Sequence, residues 1–309
     1  MPEGDSVHHA ARRIHAALAG RRLARAELRV PRFAAVDLRG RTVERAYARG
    51  KHLFVVVGPD AAGRDPVTLH VHLKMEGRIH VHRLHVHNSG EPRAGRRWRF
   101  PAHTARLVLA TGDDDEAAVE VVGTELGLLR ALTPAEAAEA VAHLGPDLLD
   151  PDWDPARHLE EAVRRLAARP DRTIGEALLD QRNVAGIGTI YRAEVCFLRG
   201  VDPREPVASA GDLRAHVDLA RRLLATNVVR PDRVTTGDTR RGHRLWVYGR
   251  DGRPCRRCGT LVETFRLGGG EDSLDRVAFR CPSCQPRRAP SEGGRATLGD
   301  PDQRDHDHR

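Results

Sequence analysis

The sequence has 309 residues, which is long enough for two domains and a substantial hydrophobic core. Hydrophobic residues make up 40% and charged residues 30%, a soluble globular composition, and no apolar run approaches the roughly 20 residues of a membrane span. The formal net charge of +8 favours a polyanionic partner such as nucleic acid, although much of this charge is also compatible with a solvated surface.

The N-terminus, MPEGDSVHHAARR, lacks the apolar segment of a secretory signal, so we expect a cytoplasmic protein. Removal of Met1 would leave Pro2 with a free secondary amine, and α-amino groups titrate at roughly pH 8. Such an amine can attack an electrophilic carbon and form an iminium. Glu3 beside it is a candidate general acid or base. Many chains begin with Met-Pro by chance, so these residues alone do not establish catalysis.

The first predicted element is a helix over residues 5–18, whose apolar face comprises Val7, Ala10, Ala11, Ile14 and Leu18. From residue 22 to residue 109 the pattern changes to short alternating strands. Examples are HLFVVV from His52, TLHVHLKM from Thr68 and RIHVHRLHVH from Arg78. This half is predicted to be a β-sandwich or barrel with a leading helix.

Beyond an acidic turn at 112–118, one more strand is predicted from Val119 and helical texture near Pro134. The Pro- and Asp-rich LGPDLLDPDWDP from Leu144 is typical of an inter-domain linker, and helices are predicted from His158 to about Asn227. The predicted domains are a catalytic β-sandwich at 1–130, a helical domain at 131–246, a ribbon at 247–285 and a disordered tail at 286–309.

Four of the five cysteines form two Cys-x-x-Cys pairs, Cys255 with Cys258 and Cys281 with Cys284. Four thiolates complete a tetrahedral shell with no open position for catalysis, so this pattern predicts one structural Zn²⁺ whose binding supports folding. Coincidental cysteine pairs and a redox dithiol are the alternatives. The segments LVETFRL and RVAFR between the pairs are predicted to form a hairpin, and Cys196 is interpreted as a buried apolar residue.

Two further patterns have both a structural and a functional interpretation. Gly186-Ile187-Gly188 is predicted to be a tight turn that opens a helix, and exposed amides at a helix N-terminus favour an anion such as a phosphate. An ordinary packing turn between two helices explains these residues equally well. The other pattern is a series of alternating histidines, which we interpret as strand faces and not as metal ligands, at His70, His72, His80, His82, His85 and His87.

Taken in order, six segments resemble one family of proteins over residues 1–285. They are Pro-Glu-Gly after Met1, RGKHLF from Arg49, HLKMEG from His72, LGPDLLDP from Leu144, LLDQRNVAGIGTIYRAE from Leu178 and WVYGRDGRPCRRCGT through RVAFRCPSCQ. Together they resemble the formamidopyrimidine-DNA glycosylase and endonuclease VIII (Fpg/Nei) family, and LGPDLLDP is especially like the Nei branch. The resemblance implies an α+β multidomain fold. It would comprise an N-terminal β-sandwich with flanking helices, a helix–two-turn–helix domain, a closing zinc ribbon and a DNA-binding cleft between the halves.

The resemblance also implies catalytic roles for four residues. Pro2 would attack C1′ of the damaged nucleotide and displace the base, while Glu3 would supply protons during sugar opening and imine chemistry. Lys51 would contact a backbone phosphate and assist proton transfer in β-elimination. Arg276, five residues before Cys281, would bind phosphate and support δ-elimination. Lys51 and Arg276 would otherwise be solvated surface charges.

Further residues would contact the DNA. Met75 matches a residue that enters the duplex after base flipping, although it could instead belong to the core. The expected phosphate contacts are Lys74, Tyr191 and the amides around Gly188. Thr189 stands where the family commonly has Asn, and a hydroxyl offers phosphate fewer hydrogen bonds than an amide.

Two other departures from the family pattern lie in the wedge region and in the finger loop, and the first of them bears on the predicted substrate. The Arg-Phe wedge of the Fpg branch is not visible, and VVGTELGLLR from Val121 stands in that region. The finger loop is long, with Gly-Gly-Gly-Glu-Asp at 268–272. Oxidised pyrimidines are therefore expected as substrates in preference to 8-oxoguanine.

The sequence as a whole predicts a monomeric glycosylase and AP lyase that acts on damaged DNA and cuts the strand by β,δ-elimination. One alternative is an AP lyase with little base excision. The other is a zinc-ribbon DNA-binding protein without catalysis, for which Pro2 and Glu3 would be incidental.

Overall fold

The structure is a computed structural model, and it describes residues 2–83, 98–112, 118–230, 232–268 and 276–287. Its N-terminal half contains eight strands, which are β1 (Leu23–Leu28), β2 (Val43–Arg49), β3 (His52–Val57), β4 (Val67–His72), β5 (Arg78–Arg83), β6 (Ala105–Thr111), β7 (Val119–Thr124) and β8 (Leu128–Leu132). They form two antiparallel sheets, one of order β1-β6-β7-β5 and the other of order β2-β3-β4-β8.

The core of this half lies between the two sheets and under the first helix, α1 (Gly4–Leu18). Apolar residues recur every three or four positions along α1, and the buried ones include Val7, Ala10, Ala11, Ile14 and Leu18. Alternate residues of the strands enter the same core, among them Leu53, Val55 and Val57 of β3. The predicted β-sandwich with a leading helix is confirmed.

The turn between β2 and β3 carries Lys51. These strands remain paired up to Arg49 and His52, so Gly50 and Lys51 alone connect them. Gly50 has a φ of +57°, in the left-handed region where a side chain would add strain. The RGKHLF segment is therefore a tight hairpin turn that holds Lys51 at one edge of the sandwich.

The connection from β4 to β5 carries Lys74 and Met75. The alternating pattern predicts that the strand continues to Met75, whereas β4 ends at His72. It ends there because the chain turns back, with the amide of Gly77 donating to the carbonyl of Leu73 at 2.9 Å. Lys74 occupies this turn at a φ of +49°.

Among its described residues, the C-terminal half contains five α-helices, α2 (Pro134–Glu139), α3 (Glu160–Ala167), α4 (Ile174–Leu179), α5 (Thr189–Arg199) and α6 (Leu213–Asn227). The last four surround a second hydrophobic core, so the predicted helical region up to Asn227 is confirmed. Helix α5 is largely buried along its length, and it packs against α4, α6 and the ribbon.

The Pro- and Asp-rich segment that begins at Leu144 lies between the sandwich and the helices. It is packed against both, because Leu144, Asp147 and Leu148 are buried. Its backbone pairs in parallel with the residues before the glycine turn, through a bridge between Asp147 and Ala185. The first part of this segment, residues 144–148, is therefore part of the packed interior, which its linker-like composition did not indicate.

The ribbon is a two-stranded antiparallel hairpin of β9 (Glu263–Leu267) and β10 (Arg276–Arg280), as the sequence predicts. Its approach to α5 is fixed by a fully buried carboxylate, that of Glu194. This group accepts hydrogen bonds from the amides of Trp246, Val247 and Tyr248 at 2.8 to 3.0 Å. The chain that leads into the ribbon is thus tied to the centre of the helical half.

Some sequence predictions lie outside the described residues. They concern most of the acidic turn, two of the alternating histidines, most of the finger loop and nearly all of the tail, at 113–117, His85, His87, 269–272 and 288–309. The overall architecture is of the mixed α+β class, as predicted. Within the described ranges, every helix is too short or too polar to cross a membrane.

Replacing Glu194 tests whether this carboxylate fixes the ribbon. Glu194→Gln should lower the free energy of unfolding by about 1–3 kcal/mol, because several buried amides lose a charged acceptor. Glu139→Gln, at an exposed site on α2, should change it by less than about 0.5 kcal/mol. Urea unfolding measures both values, and equal effects would contradict the assignment.

Candidate active site

A cleft of about 330 Å³ opens between the N-terminus, the β4–β5 connection and the residues that follow α6. Its lining includes Pro2, Ser6, Met75, Arg78, Asn227 and Arg233. Pro2 is partly exposed at this opening. The cleft therefore brings Pro2 and Met75 together.

The side chain of Glu3 is fully buried at the N-terminus of α5. Its two carboxylate oxygens accept hydrogen bonds from the amides of Gly188, Ile190 and Tyr191, at 2.8, 2.7 and 3.3 Å. The first amides of a helix have no partner within the helix, and the helix dipole favours negative charge there. Helix α5 therefore holds Glu3 in one place, next to Pro2 in the sequence.

The glycines on both sides of this contact are required by close packing. A Cβ atom on Gly188 would lie 2.4 Å from the carboxyl carbon of Glu3, and a Cβ on Gly4 would lie 2.9 Å from Cα of Gly186. The amide of Gly4 also donates to the carbonyl of Gly186 at 2.9 Å. The glycine turn was predicted to allow close approach of a ligand, and what approaches it is the chain's own N-terminus.

Three of the expected DNA contacts lie at this junction. The amide of Gly188 is hydrogen-bonded within the protein and does not face an open surface. Thr189 is buried at the first position of α5. Tyr191 is fully buried, and its amide and hydroxyl are both hydrogen-bonded to groups of the protein. The N-terminal segment occupies the position at the start of α5 where the sequence pattern predicted an anion, and the DNA contacts of these three residues stay a prediction.

Sequence reasoning missed a buried cluster of Asp5, Tyr191 and Arg233. Asp5 accepts hydrogen bonds from the hydroxyl of Tyr191 at 2.7 Å and from Nε of Arg233 at 2.8 Å. The guanidinium carbon of Arg233 lies 5.0 Å from the centre of the Tyr191 ring. Burial alone would raise the pKa of Asp5, but its bonds to Arg233 and Tyr191 lower it. The ion pair between Asp5 and Arg233 attaches the first turn of α1 to the helical half. No local sequence motif predicts this contact.

Lys51 and Lys74 are the only two lysines of the sequence, and both lie near the candidate site. Lys51 is partly buried in the β2–β3 turn. Burial lowers the pKa of Lys51 to about 8, the charge of Glu3 opposes this shift, and the charges of Arg276 and Arg233 reinforce it. An appreciable fraction of Lys51 is therefore neutral near physiological pH and able to accept a proton.

Met75 and Lys74 project from the β4–β5 turn. Met75 is 51% exposed and lines the cleft, which rules out its alternative interpretation as a core residue. Lys74 is also exposed, and its stem packs so closely on Gly127 that a Cβ there would lie 2.5 Å from Cγ of Lys74. This packing holds the turn so that both side chains stay exposed, with Met75 at the cleft.

Arg276 begins β10, and its positive charge helps to lower the pKa of Lys51 in the β2–β3 turn. The neighbouring residue of β10 fixes this position, since the carbonyl of Val277 accepts a hydrogen bond of 2.5 Å from the guanidinium of Arg192. Arg192 is fully buried within α5. The ribbon therefore places a second cation, Arg276, in the region that contains Glu3 and Lys51.

The four cysteines of the ribbon come together as predicted. Their sulfur atoms all lie within 4.8 Å of one another, with Cys255 and Cys284 3.9 Å apart and Cys258 and Cys281 3.4 Å apart. They form the one group of at least three potential ligands that could hold a metal ion in the described part of the chain. Cys196 is buried elsewhere, in agreement with its prediction as an apolar residue.

The described histidines of the alternating series lie on strands β4 and β5, and no metal cluster includes any of them. Their rings pack against other rings, such as His70 on Phe54 at 4.7 Å and His80 on Phe100 at 4.4 Å. His72 has a defined tautomer, because its Nδ1 accepts a hydrogen bond from the amide of Lys74 at 2.9 Å. The strand-face interpretation is thus correct for the described members.

Two family models match the sequence. The model of the formamidopyrimidine-DNA glycosylase N-terminal domain matches residues 1–120, and that of the formamidopyrimidine-DNA glycosylase H2TH domain matches residues 144–226. The first match covers most of the β-sandwich. The second covers the packed segment from Leu144 through α6, including the glycine turn that holds Glu3.

Curated relatives are similar over nearly their whole lengths. The chain is 48% identical to the probable endonuclease 8 2 of Streptomyces coelicolor over 298 residues, which is 96% of this chain and 98% of that protein. It is 46% identical to endonuclease 8 2 of Mycobacterium bovis over 286 residues, or 92% of this chain and 100% of the relative. It is 45% identical to the DNA-(apurinic or apyrimidinic site) lyase Nei2 of Mycolicibacterium smegmatis over 285 residues, or 92% and 99%.

Among solved structures, the chain is similar to the formamidopyrimidine-DNA glycosylase of Lactococcus lactis, which was crystallised non-covalently bound to DNA containing an AP site. The TM-score is 0.68 and the sequence identity 21%, with 93% of this chain and 100% of that chain covered. At this identity the likeness establishes a common fold.

The pKa of Lys51 can be measured directly, because protein labelled in lysine should give only two side-chain signals and Lys74→Arg removes one of them. Lys51 should titrate near pH 8 and not near the ordinary 10.4. Arg276→Ala should raise this midpoint, since a repelling cation is lost, and Glu3→Gln should lower it, since an attracting anion is lost. A midpoint near 10 in the unmodified protein, or shifts of the same sign in both variants, would contradict the assigned electrostatics.

Proposed function

This chain belongs to the formamidopyrimidine-DNA glycosylase and endonuclease VIII family, and we propose on that basis that it is a bifunctional DNA glycosylase and AP lyase of base excision repair. The observation that carries the proposal is the junction between Pro2 and Glu3. Pro2 lines the cleft. Glu3 is held by hydrogen bonds at the start of α5, and its negative charge acts electrostatically on Lys51. An N-terminal amine, a fixed carboxylate and a lysine of lowered pKa suit imine chemistry at a sugar carbon.

The proposed reaction begins at the nitrogen of Pro2 once Met1 has been removed. The nitrogen attacks C1′ of the damaged nucleotide, the bond from C1′ to the base breaks, and the departing base takes the electron pair and a proton. After the attacking nitrogen loses its own proton, the C1′–O4′ bond breaks and O4′ takes up a proton. Glu3 is the proposed carrier of this proton: its carboxylate accepts the proton from the Pro2 nitrogen and donates it to O4′, and the product is an iminium between Pro2 and C1′.

Strand cleavage then follows by elimination. The iminium acidifies the proton on C2′, and its removal expels the 3′-phosphate with the electrons of the C3′–O bond. We assign Lys51 to this proton transfer and to a contact with a backbone phosphate, supported by its lowered pKa. Loss of a proton from C4′ expels the 5′-phosphate in the same way. Arg276 is proposed to bind phosphate and support this δ-elimination.

DNA binding is proposed to involve the β4–β5 turn. Met75 is exposed at the cleft that Pro2 also lines, which suits a side chain that fills the space left by a flipped nucleotide. Unstacking a base costs a few kcal/mol, and an apolar side chain in the vacated space offsets part of that cost. Lys74, exposed beside Met75, is the proposed contact to a nearby phosphate.

Oxidised pyrimidines are the proposed substrates in preference to 8-oxoguanine. The connection between β7 and β8 comprises only residues 125–127, in the region where the Fpg branch has its Arg-Phe wedge. Three curated relatives with 45–48% identity carry endonuclease 8 or AP-lyase names. An AP lyase with little base excision is the second candidate, since one of these relatives is named for AP-site lyase activity.

The ribbon is proposed to hold one structural Zn²⁺ through Cys255, Cys258, Cys281 and Cys284. Zinc–thiolate bonds of about 2.3 Å in a tetrahedron place sulfur atoms about 3.8 Å apart. The sulfur distances of 3.4 and 3.9 Å in the ribbon bracket that value. Four thiolates leave no position for substrate, so the ion would stabilise the hairpin that carries Arg276 and take no part in the reaction.

We further propose that the protein acts as a monomer in the cytoplasm, associated with the nucleoid through its substrate. One chain supplies every proposed catalytic residue, so the reaction requires no second copy. The partner is damaged DNA.

A cleavage assay on defined duplexes tests the proposal. Protein whose intact mass confirms the loss of Met1 should cut DNA at an abasic site and release an oxidised pyrimidine faster than 8-oxoguanine. Pro2→Gly should abolish both reactions, and Glu3→Gln should slow them by about 100-fold or more. Ala16→Ser, on the exposed face of α1, is the matched control and should retain full activity.

The outcomes separate the candidate functions. Cleavage at abasic sites without base release would establish the lyase alternative. DNA binding without any cleavage by protein that lacks Met1 would favour the non-catalytic alternative. Full activity in Pro2→Gly or Glu3→Gln would refute the role assigned to that residue.

Metal analysis tests the ribbon. The protein should contain one zinc per chain, and Cys281→Ser should lower that content and weaken DNA cleavage, because the hairpin that carries Arg276 loses its anchor. Cys196→Ser, which alters a buried cysteine outside the cluster, should leave the zinc content unchanged. Full zinc occupancy in Cys281→Ser would show that this cysteine is not a ligand.

A further inference from the structure

The segment that begins at Leu144 forms a hydrogen bond and an ion pair with the turn that carries Lys51. We propose that Asp147 is a positioning residue, which fixes the place of Lys51 by holding the amide that precedes it. This inference rests on the proposed function, because it concerns the residue assigned to proton transfer. It also gives the LGPDLLDP segment a part in the reaction.

The carboxylate of Asp147 is 1% exposed and has three partners. One oxygen accepts hydrogen bonds from the amide of Gly50 at 2.7 Å and from Nε2 of His8 at 3.2 Å. The other accepts from the amide of Leu149 at 3.0 Å. Burial would raise the pKa of Asp147, but these hydrogen bonds and the charge of His8 lower it. The group is therefore an ionised acceptor inside the protein.

Both residues that precede Lys51 form contacts that hold the turn in place. Arg49 forms an ion pair with Asp150 at 3.1 Å, while Gly50 donates to Asp147. Gly50 lies so close to the helical half that a Cβ would be 3.1 Å from Cβ of Ala185. The hairpin turn therefore has little room to shift while these contacts last.

The same segment is attached to the glycine turn that holds Glu3. The amide of Ala185 donates to the carbonyl of Pro146 at 2.9 Å, and the amide of Leu148 donates to the carbonyl of Ala185 at 3.2 Å. His8 adds a contact from α1, the helix that follows Pro2 and Glu3. The Asp147 carboxylate thus connects the Lys51 turn with the N-terminal helix, and the backbone on either side of Asp147 is bonded to the residue before the glycine turn.

Loss of the Asp147 carboxylate would leave the amide of Gly50 buried without its acceptor. A peptide group in that state shifts toward another partner or toward water, since an unsatisfied buried donor is unfavourable. A displacement of about 1 Å at a catalytic group can slow a reaction by roughly 100-fold. Because Lys51 is assigned to elimination, the effect should fall on strand cleavage more than on DNA binding.

The test compares full-length, zinc-containing variants under single-turnover conditions. The substrate for cleavage is a duplex with a natural abasic site, and binding is measured on a duplex with a tetrahydrofuran analogue that cannot react. Asp147→Ala should slow cleavage by roughly 10- to 100-fold and change the Kd by less than about twofold. Asp147→Asn, which keeps an acceptor oxygen, should be intermediate. Asp152→Asn, at an exposed site of the same segment, should match the unaltered protein.

Two further readouts distinguish positioning from general loss of structure. Borohydride should still trap the covalent intermediate in Asp147→Ala, because imine formation at Pro2 precedes the step assigned to Lys51. In a Lys51→Ala background, Asp147→Ala should cause no further loss of cleavage rate. The inference would be overturned if Asp147→Ala lost borohydride trapping as strongly as cleavage. It would also be overturned if the fold-loss of cleavage rate in the double variant equalled the product of the two single losses.

The inference and the proposed function fail in different ways. If the unaltered protein cuts no abasic duplex, the proposed function is wrong. If it cuts and Asp147→Ala cuts equally fast, Asp147 does not position Lys51. Should Asp147→Ala fail to fold, Asp147→Asn decides, and cleavage by that variant at the unaltered rate with an unchanged pH profile would refute the inference.

Discussion

The structure of the site depends on one buried contact, in which the amides at the start of α5 hold the carboxylate of Glu3. A carboxylate without such donors would be costly to bury, and a helix N-terminus supplies both the donors and a favourable dipole. The contact requires glycine at position 188, where any side chain would collide with Glu3. It also determines where Pro2 lies, because Pro2 and Glu3 are adjacent in the chain. The N-terminal amine is thus placed by the helical half of the molecule, although it belongs to the sandwich half.

Helix α5 extends this arrangement to the ribbon. Its buried Glu194 fixes the chain that enters the ribbon, and its buried Arg192 binds the strand that begins with Arg276. The sandwich contributes Lys51 from a hairpin turn. Cations from the ribbon and from the loop after α6 reinforce the effect of burial and keep the pKa of Lys51 near 8. Residues that are far apart in the sequence therefore act on one another through rigid elements and short contacts.

Much of this organisation could be predicted from local sequence. The period-two strands, the face of α1 and the two cysteine pairs are short-range patterns, and the structure bears them out. The contacts of Tyr191 could not be predicted, because its partner Asp5 lies 186 positions away and a buried tyrosine resembles an exposed one in sequence. The packed state of the segment that contains Asp147 was missed for the same reason, since Pro and Asp are also typical of exposed linkers.

The central claim is that the nucleophile is the amine of Pro2, and mapping the site of covalent attachment tests it most directly. Protein would be reduced with borohydride on a duplex with an abasic site, digested with trypsin and analysed by mass spectrometry. The sugar remnant should be attached to the peptide of residues 2–12. Attachment to the peptide of residues 50–64, which contains Lys51, would contradict it and make the lysine the nucleophile.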